Sequence, residues 1–451
     1  MRCTAVVLAA GEGTRMKSST PKVIHPILGR PMAGYALDAA QSVSDWPPIL
    51  VVGYQAEEVK TALDAEARYV IQDEQLGTGH ALQQAESLVE EASDLVLVTN
   101  ADMPLIRPET LSEIIEAQSS HEGPMTLLTL KAEDPRGFGR VIRGEGGSVT
   151  AIVEEADASE EELAVRECNA GMYCFRAQWL WKALPKIDLS PKGEYYLTDL
   201  VEIAVQEGQS VQAVVASDTK ELIGINNRVH LAEAVKILQR RINRQWMLAG
   251  VTIIDPETTY IESTVRIGQD TVIKPNTYLE GETVIGRNGL IGPNTTLKDV
   301  QVGDDCQIES STVEEAVVED EVDIGPYSHL RKGAHLGRGV HIGNYCEVKE
   351  AYLGEGTKMG HFSYIGNAEV GEGVNIGAGT ITCNYDGTKK HLTKIGDHVF
   401  LGSDTMLVAP VEVGEGARTG AGSVVTKDIT PYTLAVGVPA RVVRQLRNME
   451  T

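Results

Sequence analysis

The sequence predicts an α/β fold in two parts. A doubly wound, mostly parallel sheet comes first, then one long helix, then a parallel β-helix. Three observations carry this. In the second half an aliphatic–glycine pair returns at a six-residue beat: Ile285-Gly286 then Ile291-Gly292, Leu336-Gly337 then Ile342-Gly343, Val370-Gly371 then Ile376-Gly377. That period is neither helix nor ordinary sheet; it is the beat of a prism with three short strands per coil, about 18 residues per turn. The first half instead alternates strand and helix patterns, the order of a parallel sheet covered by helices. Between the halves, Leu231, Val235, Leu238, Ile242, Trp246 and Ala249 form one apolar stripe.

Each element follows in order. Residues 3–10 are a buried strand, and a helix follows Pro31 with Ala33, Leu37 and Ala40 on one face. Ile49–Val52 is strand and Ala56–Leu63 helix; residues 78–89 are helix and 95–99 strand. Residues 108–118 are helix with proline in the first turn, and 125–130 strand. Residues 141–143 and Val149–Val153 flank a glycine-rich turn as an inserted hairpin; 172–175 and Val211–Val215 are later strands. The stripe is a helix of about 22 residues, about 33 Å long, with Asn227 as N-cap and Gly250 past its end. The expected domains are residues 1–227, the linker helix 228–250, and 251–451. Coils are expected from Val265, about nine of them in a prism over about 40 Å long. The aliphatic residue points inward, and the glycine is expected to bend the chain at a corner.

Charge and cysteines narrow the class. The 451 residues carry a net charge of −24, which argues against nucleic acid or an anionic membrane as partner. An anionic substrate would need a local positive patch or a metal ion. The six cysteines form no C-x-x-C, as expected of reduced thiols in the cytoplasm. No segment is long and apolar enough to span a membrane.

Two places concentrate chemistry. Leu8-Ala9-Ala10-Gly11-Glu12-Gly13-Thr14-Arg15-Met16 follows the first strand and leads to Pro21-Lys22. Its glycines allow backbone N–H groups close to phosphates, and Arg15 and Lys22 supply positive charge. In the prism the beat breaks twice. Gly377 to Gly396 spans 19 residues and contains Asn384, Tyr385 and Lys390 in a polar stretch that is expected to loop outward. Gly360-His361-Phe362-Ser363-Tyr364 lies between coil corners. Arg331 and Lys349 are one 18-residue coil apart, so they stack as a phosphate clamp near His361, Tyr364 and Lys390.

The first string resembles the sugar-1-phosphate nucleotidyltransferases. So do Gln72 with Gln75-Leu76-Gly77-Thr78-Gly79-His80, Asn100-Ala101-Asp102-Met103-Pro104, Gly137-Phe138-Gly139-Arg140, Ile152-Val153-Glu154, Cys168-Asn169-Ala170-Gly171, Gly193-Glu194-Tyr195-Tyr196-Leu197-Thr198-Asp199 and Gly224-Ile225-Asn226-Asn227. The six-residue beat is that of the left-handed hexapeptide-repeat proteins. Over nearly its whole length the chain resembles the bifunctional bacterial enzymes that make UDP-N-acetylglucosamine, important for peptidoglycan and lipopolysaccharide precursors. The resemblance implies acetyl transfer from acetyl-CoA to glucosamine-1-phosphate. Uridylyl transfer from UTP to N-acetylglucosamine-1-phosphate follows, with pyrophosphate leaving. It also implies a cytoplasmic homotrimer.

By the same resemblance, Mg²⁺ sits on Asp102 and Asn226. The nucleotide lies along Leu8, Ala9, Ala10, Gly11, Lys22, Asn100 and Ala101, and Arg15 and Lys22 act in catalysis. Uracil falls to Gln72, Gly77 and Thr78, and the sugar to Gly139, Glu154 and Asn169. His361 is the implied base of acetyl transfer, with Arg331, Lys349, Tyr364, Asn375 and Lys390 on the sugar phosphate. Ala378, Asn384, Tyr385, Ser403 and Ala421 lie along acetyl-CoA between neighbouring subunits. Five positions depart from the family, one of them Ser363, which stands for Thr. Glu12 stands for Lys and is expected to point to solvent. Ala101 stands for Gly, at little cost if its φ is negative. Phe362 stands for Leu, and Val438 for an Arg before Pro439, where Arg441 is a candidate substitute. Two other readings exist: a nucleotidyltransferase whose prism only trimerises it, and a non-catalytic protein of the same modules. His361 with its basic neighbours argues against the first, and Arg15, Lys22 and Asp102 against the second.

Overall fold

A computed structural model describes residues 1–63, 66–132, 135, 137–155 and 157–446. The last residues of the expected tail, 447–451, lie outside the described residues. The chain divides into two compact units, Met1–Leu238 and Gln239–Thr451.

The first unit is built on β1 (Cys3–Ala9), β2 (Ile49–Val52), β3 (Arg68–Ile71), β4 (Leu95–Asn100), β5 (Met125–Lys131), β6 (Arg140–Arg143), β7 (Val149–Val153), β8 (Glu167–Arg176) and β9 (Val211–Val215). The sheet order is β9-β5-β8-β4-β1-β2-β3, with the β6–β7 hairpin branching from β8. β1 is apolar on both faces because both are covered: Ala5 and Val7 enter one core layer, Val6 the other. The chain steps from β1 out to β2 and β3, then returns to β4 on the other side of β1. The connections therefore diverge between β1 and β4, which opens a crevice at the carboxyl ends of those strands.

Three local expectations shift. The strand expected at 172–175 is the inner part of β8, ten residues long and antiparallel to both β4 and β5. The helix expected over 78–89 stops at Gln84, because the backbone tightens at Ala85 and continues as a short turn Glu86–Leu88. β3 has no expectation because it is a short, partly exposed edge strand with little alternation.

The second unit is a parallel β-helix. Its sheets have 12 and 17 strands, all pairings parallel until the last strand, Arg441–Gln445, folds back on Thr433–Val436. The ladder begins at Thr252–Ile253, a coil ahead of Val265. Inward residues stack in columns such as Ile273, Ile291, Ile308, Ile324 and Ile342, all buried. The glycines act in two ways. Gly292 and Gly325 bend the chain as expected, with φ of 96° and 114°; elsewhere the positive φ falls two residues later, at Asp270, Asn288 and Asp305 or at a second glycine such as Gly373 and Gly379. The glycine is needed for stacking: a Cβ on Gly268 would lie 2.6 Å from the backbone of Gly286 one coil above.

Arg228–Leu248 is one helix, and the division between the units falls within it. Asn227 caps its start, its Oδ1 accepting from the N–H groups of Val229 and His230. Leu238 and Ile242 are buried as the stripe requires, but so are Gln239 and Asn243, one turn apart. The first coil has no coil beneath it to pair its carbonyls. Gln239 Nε2 donates to the carbonyls of Pro256, Glu257 and Thr259 at 3.1, 3.1 and 2.7 Å. Asn243 Nδ2 donates to those of Pro256 and Thr259 at 2.8 and 3.0 Å. The amides thus close the open end of the prism. Gln239→Leu removes three of these five bonds from a buried position, so it is expected to destabilise the second unit by about 2–3 kcal/mol in denaturant titration. An unchanged midpoint would show that the amides are not what closes the end.

Candidate functional sites

A cavity of about 280 Å³ opens at the crevice between β1 and β4. Leu8, Ala9, Ala10, Gly11, Lys22, Gln72, Gly77, Thr78, Asn100 and Asp102 line it, joined by Val23, Gln75, Ala81 and Glu194. Gly13 has φ 71°, and a Cβ there would sit 2.5 Å from Cβ of Lys22, so glycine lets the lysine pass beneath the loop. Lys22 Nζ meets Asp102 Oδ2 at 2.6 Å, with both side chains mostly buried. Arg15 Nη2 donates to Asn226 Oδ1 at 2.9 Å. Each expected phosphate-binding cation is thus paired with one expected metal ligand. Glu12 is exposed, as expected. Ala101 is fully buried and is absent from the residues with positive φ.

The far end of the cleft is set by turns. Gln72 Nε2 donates to the carbonyl of Gly77 at 3.1 Å, and Gln75 Nε2 to that of Ala10 at 2.9 Å. Gln75 thereby ties the base-side loop to the phosphate loop, a role its place in the motif does not disclose. The Gly193–Asp199 segment backs the same turn: Tyr195 N donates to Leu76 O, Gly79 N to Tyr195 O, and Leu197 N to Thr78 Oγ1.

Gly139, Glu154 and Asn169 come together outside the cavity lining. Asn169 N donates to Gly139 O at 2.9 Å, and a Cβ on Gly139 would lie 3.5 Å from Glu154 Oε1. Asn169 Nδ2 donates to the buried Tyr173 hydroxyl at 2.7 Å. Burial pushes the Glu154 carboxyl above its ordinary range, partly offset by Lys192. Burial, reinforced by Glu202, Glu154 and Asp188, pushes Asp199 up to about 6.

On the prism, Arg331 and Lys349 stack on one face, since Leu330 pairs with Val348 in register. Arg331 Nη1 also meets Glu347 Oε1 at 2.8 Å. His361 ends the strand Lys358–His361 on the adjoining face, directly above Asn344. Its Nδ1 lies 3.2 Å from Asn344 Oδ1. Asn375 stands one coil above Lys358 on that same face. The coil registers put Ala378, Ser403 and Ala421 above His361 in one vertical column, small residues on successive coils. At about 4.8 Å per coil, Ala421 is about 14 Å from the level of His361.

The interruption after Gly377 does project outward. It forms a closed loop with a Tyr385–Lys390 bridge, and His391 N donates to Asn384 O at 2.7 Å across its neck. Asp386 accepts from the Thr388 and Lys389 backbone and pairs with His391 at 2.6 Å, which holds its carboxyl well below the usual range. Phe362 and Val438 are largely exposed. Arg441 lies on the exposed last strand. Asn344 is a neighbour of His361 that the sequence does not single out, because only coil register reveals what stands beneath it.

The fold and the two sites define a transferase made of a nucleotidyltransferase unit and a hexapeptide-repeat unit. Residues 5–188 match the MobA-like NTP transferase domain family, and residues 264–299 and 392–427 match the bacterial transferase hexapeptide (six repeats) family. The chain is 45% identical over 445 residues to the "Bifunctional protein GlmU" of Pelobacter propionicus, covering 98% of this chain and 97% of that protein. It is 48% identical over 434 residues to that of Heliobacterium modesticaldum (96% and 95%) and 43% over 433 to that of Latilactobacillus sakei (96% and 94%). The chain belongs to the bifunctional GlmU family. It is a UDP-N-acetylglucosamine pyrophosphorylase and a glucosamine-1-phosphate acetyltransferase in one polypeptide, acting on small molecules and using a divalent metal and acetyl-CoA. Among the described residues no helix is long and apolar enough to cross a membrane.

The raised Asp199 carboxyl has a stability consequence. Its folded pKa of about 6 exceeds the ordinary 3.8, so the ionised form costs folding energy. The cost is absent below about pH 4, grows as pH climbs toward 6, and is complete above it. Asp199→Asn is therefore expected to stabilise the first unit at pH 7.5 by about 1 kcal/mol after solvent screening, and by nothing measurable at pH 4. Thermal melts at the two pH values check this; an equal shift at both would remove ionisation as the cause.

Proposed function

We propose that the cleft beside β1 is the uridylyl-transfer site and that the column above Asn344 is the acetyl-transfer site. The observation that carries the second is the alignment of His361 with Ala378, Ser403 and Ala421, a base at the foot of a strip of small residues. The one that carries the first is the pairing of Lys22 with Asp102 inside a cavity lined by the phosphate loop.

The donor set fits Mg²⁺. One carboxylate and one amide oxygen suit a hard ion that keeps waters and takes phosphate oxygens. Among the described residues there is no cluster of three or more His, Cys, Asp or Glu of the kind that would cage a metal outright. Asp102 and Asn226 would hold the ion, which when bound supplies charge neutralisation at the triphosphate. Lys22 and Arg15 would turn to the phosphates, and Gln72, Gly77 and Thr78 to the uracil. Gly139, Glu154 and Asn169 would take the sugar. No protein base is needed. The second pKa of a phosphate monoester is about 6, so the attacking oxygen is already anionic at neutral pH. A bond forms from that oxygen to the α-phosphorus of UTP as the bond to the bridging oxygen breaks and pyrophosphate leaves. Lys22 and Arg15 bring the two anions together and stabilise the charge in flight.

Acetyl transfer does need a base. A primary amine of pKa about 8 must lose a proton to attack a thioester. Asn344 Oδ1 accepting from Nδ1–H would leave His361 Nε2 with a free lone pair. The amine nitrogen would attack the thioester carbonyl, its proton passing to His361, and CoA would leave as the thiolate. Arg331, Lys349, Tyr364, Asn375 and Lys390 would hold the sugar phosphate. Ala378, Asn384, Tyr385, Ser403 and Ala421 would lie along acetyl-CoA between neighbours in a homotrimer. Free buried thiols accord with a cytoplasmic protein.

Because the two sites stand in separate compact units, each is expected to fail alone. His361→Ala should cut acetyl transfer, read as free CoA, by about 10²–10⁴-fold and leave pyrophosphate release from UTP intact. Asp102→Ala should do the reverse, and loss of both activities in either variant would sink the assignment. A second test addresses the metal. Lys22 competes with a cation for Asp102, so Lys22→Met should tighten Mn²⁺ binding to the nucleotide-free protein by about tenfold, or about 1.4 kcal/mol, in an EPR titration of free ion. An unchanged or weaker affinity would mean that Lys22 does not stand in for the ion.

A further inference from the structure

We propose that Glu350 and Asn367 form a latch that docks the loop after Gly377 onto the prism, and that both are positioning residues for acetyl transfer. The proposal rests on the acetyl-site reading above. Neither residue belongs to the sugar-phosphate or the acetyl-CoA set, yet together they join members of both.

Lys349 pairs in register with Gly366, so Glu350 and Asn367, the next residues on each coil, rise along one corner. Both have positive φ, 47° and 48°, which turns their side chains out along the edge. Tyr364 pairs with Ile381, which places Asn384 next in the same column. Asn384 Nδ2 donates to Asn367 Oδ1 at 2.7 Å, and Asn367 Nδ2 donates to Glu350 Oε2 at 2.8 Å. Asn384 Nδ2 also lies 3.4 Å from the Tyr364 hydroxyl. The loop leaves the prism at Asn384 and turns back, and its returning arm brings Lys390 Nζ to the same Glu350 Oε2 at 3.1 Å. One carboxylate therefore holds the top of the ladder through Asn367 and the far arm of the loop through Lys390. These contacts keep the Glu350 carboxyl below the usual range, with Lys349 adding to the effect.

The consequence is preorganisation. Arg331 and Lys349 are fixed by coil register, whereas Lys390 is carried on a loop, and the contact with Glu350 is the bond described for its Nζ. Glu350 sits beside Lys349 in sequence, so pairing with it sets Lys390 at the level of the other two cations. A phosphate then meets three placed charges without first ordering a loop, and that saving appears as affinity for the sugar phosphate.

The test uses the full-length protein. Glu350→Ala and Asn367→Gly, the second keeping the backbone free to hold positive φ, are each expected to raise KM for glucosamine-1-phosphate roughly tenfold while kcat changes less than about threefold. Hydrogen exchange at amides 385–392 should quicken about tenfold, which loss of a direct substrate contact would not cause. Glu350→Gln, which keeps the acceptor for Asn367 but not the charge, should fall between wild type and Glu350→Ala. Lys390→Ala should raise KM similarly, and adding Glu350→Ala to it should add little. If Lys390→Ala raises KM but Glu350→Ala and Asn367→Gly do not, or if the effects multiply, the latch is wrong and the acetyl site stands. If Lys390→Ala leaves KM unchanged, the site reading itself falls. Uridylyl transfer serves as the folding control throughout.

Discussion

Coil-on-coil register is the constraint on which the second unit depends. Each strand hydrogen-bonds to the strand one coil below, so a residue's neighbours are decided by coil length and not by proximity in sequence. Ile291 stands over Ile273, and Leu401 over Ile376, although the second interval, which includes an excursion, is seven residues longer. The excursion is tolerated because it leaves at a corner and returns to the same register. Its side chains are free of the core, which frees them for binding. The price of that freedom is disorder, and the Glu350–Asn367–Asn384 ladder offsets it with bonds that extend the stacking rule to the loop.

Electrostatics imposes a second constraint on both units. A chain of net charge −24 must bind anions at two places. Four of the five cations that would do so rest on an oxygen acceptor: Lys22 on Asp102, Arg15 on Asn226, Arg331 on Glu347, Lys390 on Glu350. Pairing holds long side chains in place and lowers the entropy lost on binding. It also converts phosphate binding into an exchange of partners. In the cleft, on the proposed reading, the exchange would free the two oxygens that suit a divalent ion, so that metal and nucleotide would help each other in; a surface of unpaired lysines would give no such coupling.

How much of this was legible in the sequence depends on the range of the interaction. The strands, the long helix and the six-residue beat follow from local periodicity, and the phosphate loop from a string of adjacent residues. Gln239 and Asn243 are not legible as buried groups, because two amides on an apolar stripe read as its polar margin; only the first-coil carbonyls to which they donate explain them. Asn344, Glu350 and Asn367 were hidden for another reason. Coils here are 16 to 18 residues apart, as Val302 to Val318 and Leu330 to Val348 show, so a fixed 18-residue rule loses alignment after a few turns. The glycines were legible only in part. Gly292 and Gly325 do bend the chain, but at positions such as Gly268 and Gly286 the space they provide is for the coil above, and Asp270 and Asn288 make the bend.

The column above His361 shows why the prism suits acyl transfer. A cofactor with a long arm needs an extended surface, and a catalytic base needs a fixed place at one end of it. On a helix, residues facing one way recur every three or four positions and large neighbours crowd between them. On this prism a single corner position repeats up the axis with nothing but the backbone of the next coil between. Asn344, His361, Ala378, Ser403 and Ala421 occupy that position in turn. In the proposed acetyl site Asn344 would orient the ring from below, and the three small residues would leave the path above it open. Replacing any of the three by a large side chain would obstruct the strip without touching the core, because the inward columns are built from other positions. Fold stability and the shape of the acyl-carrier path are thus set by separate residues on the same strands.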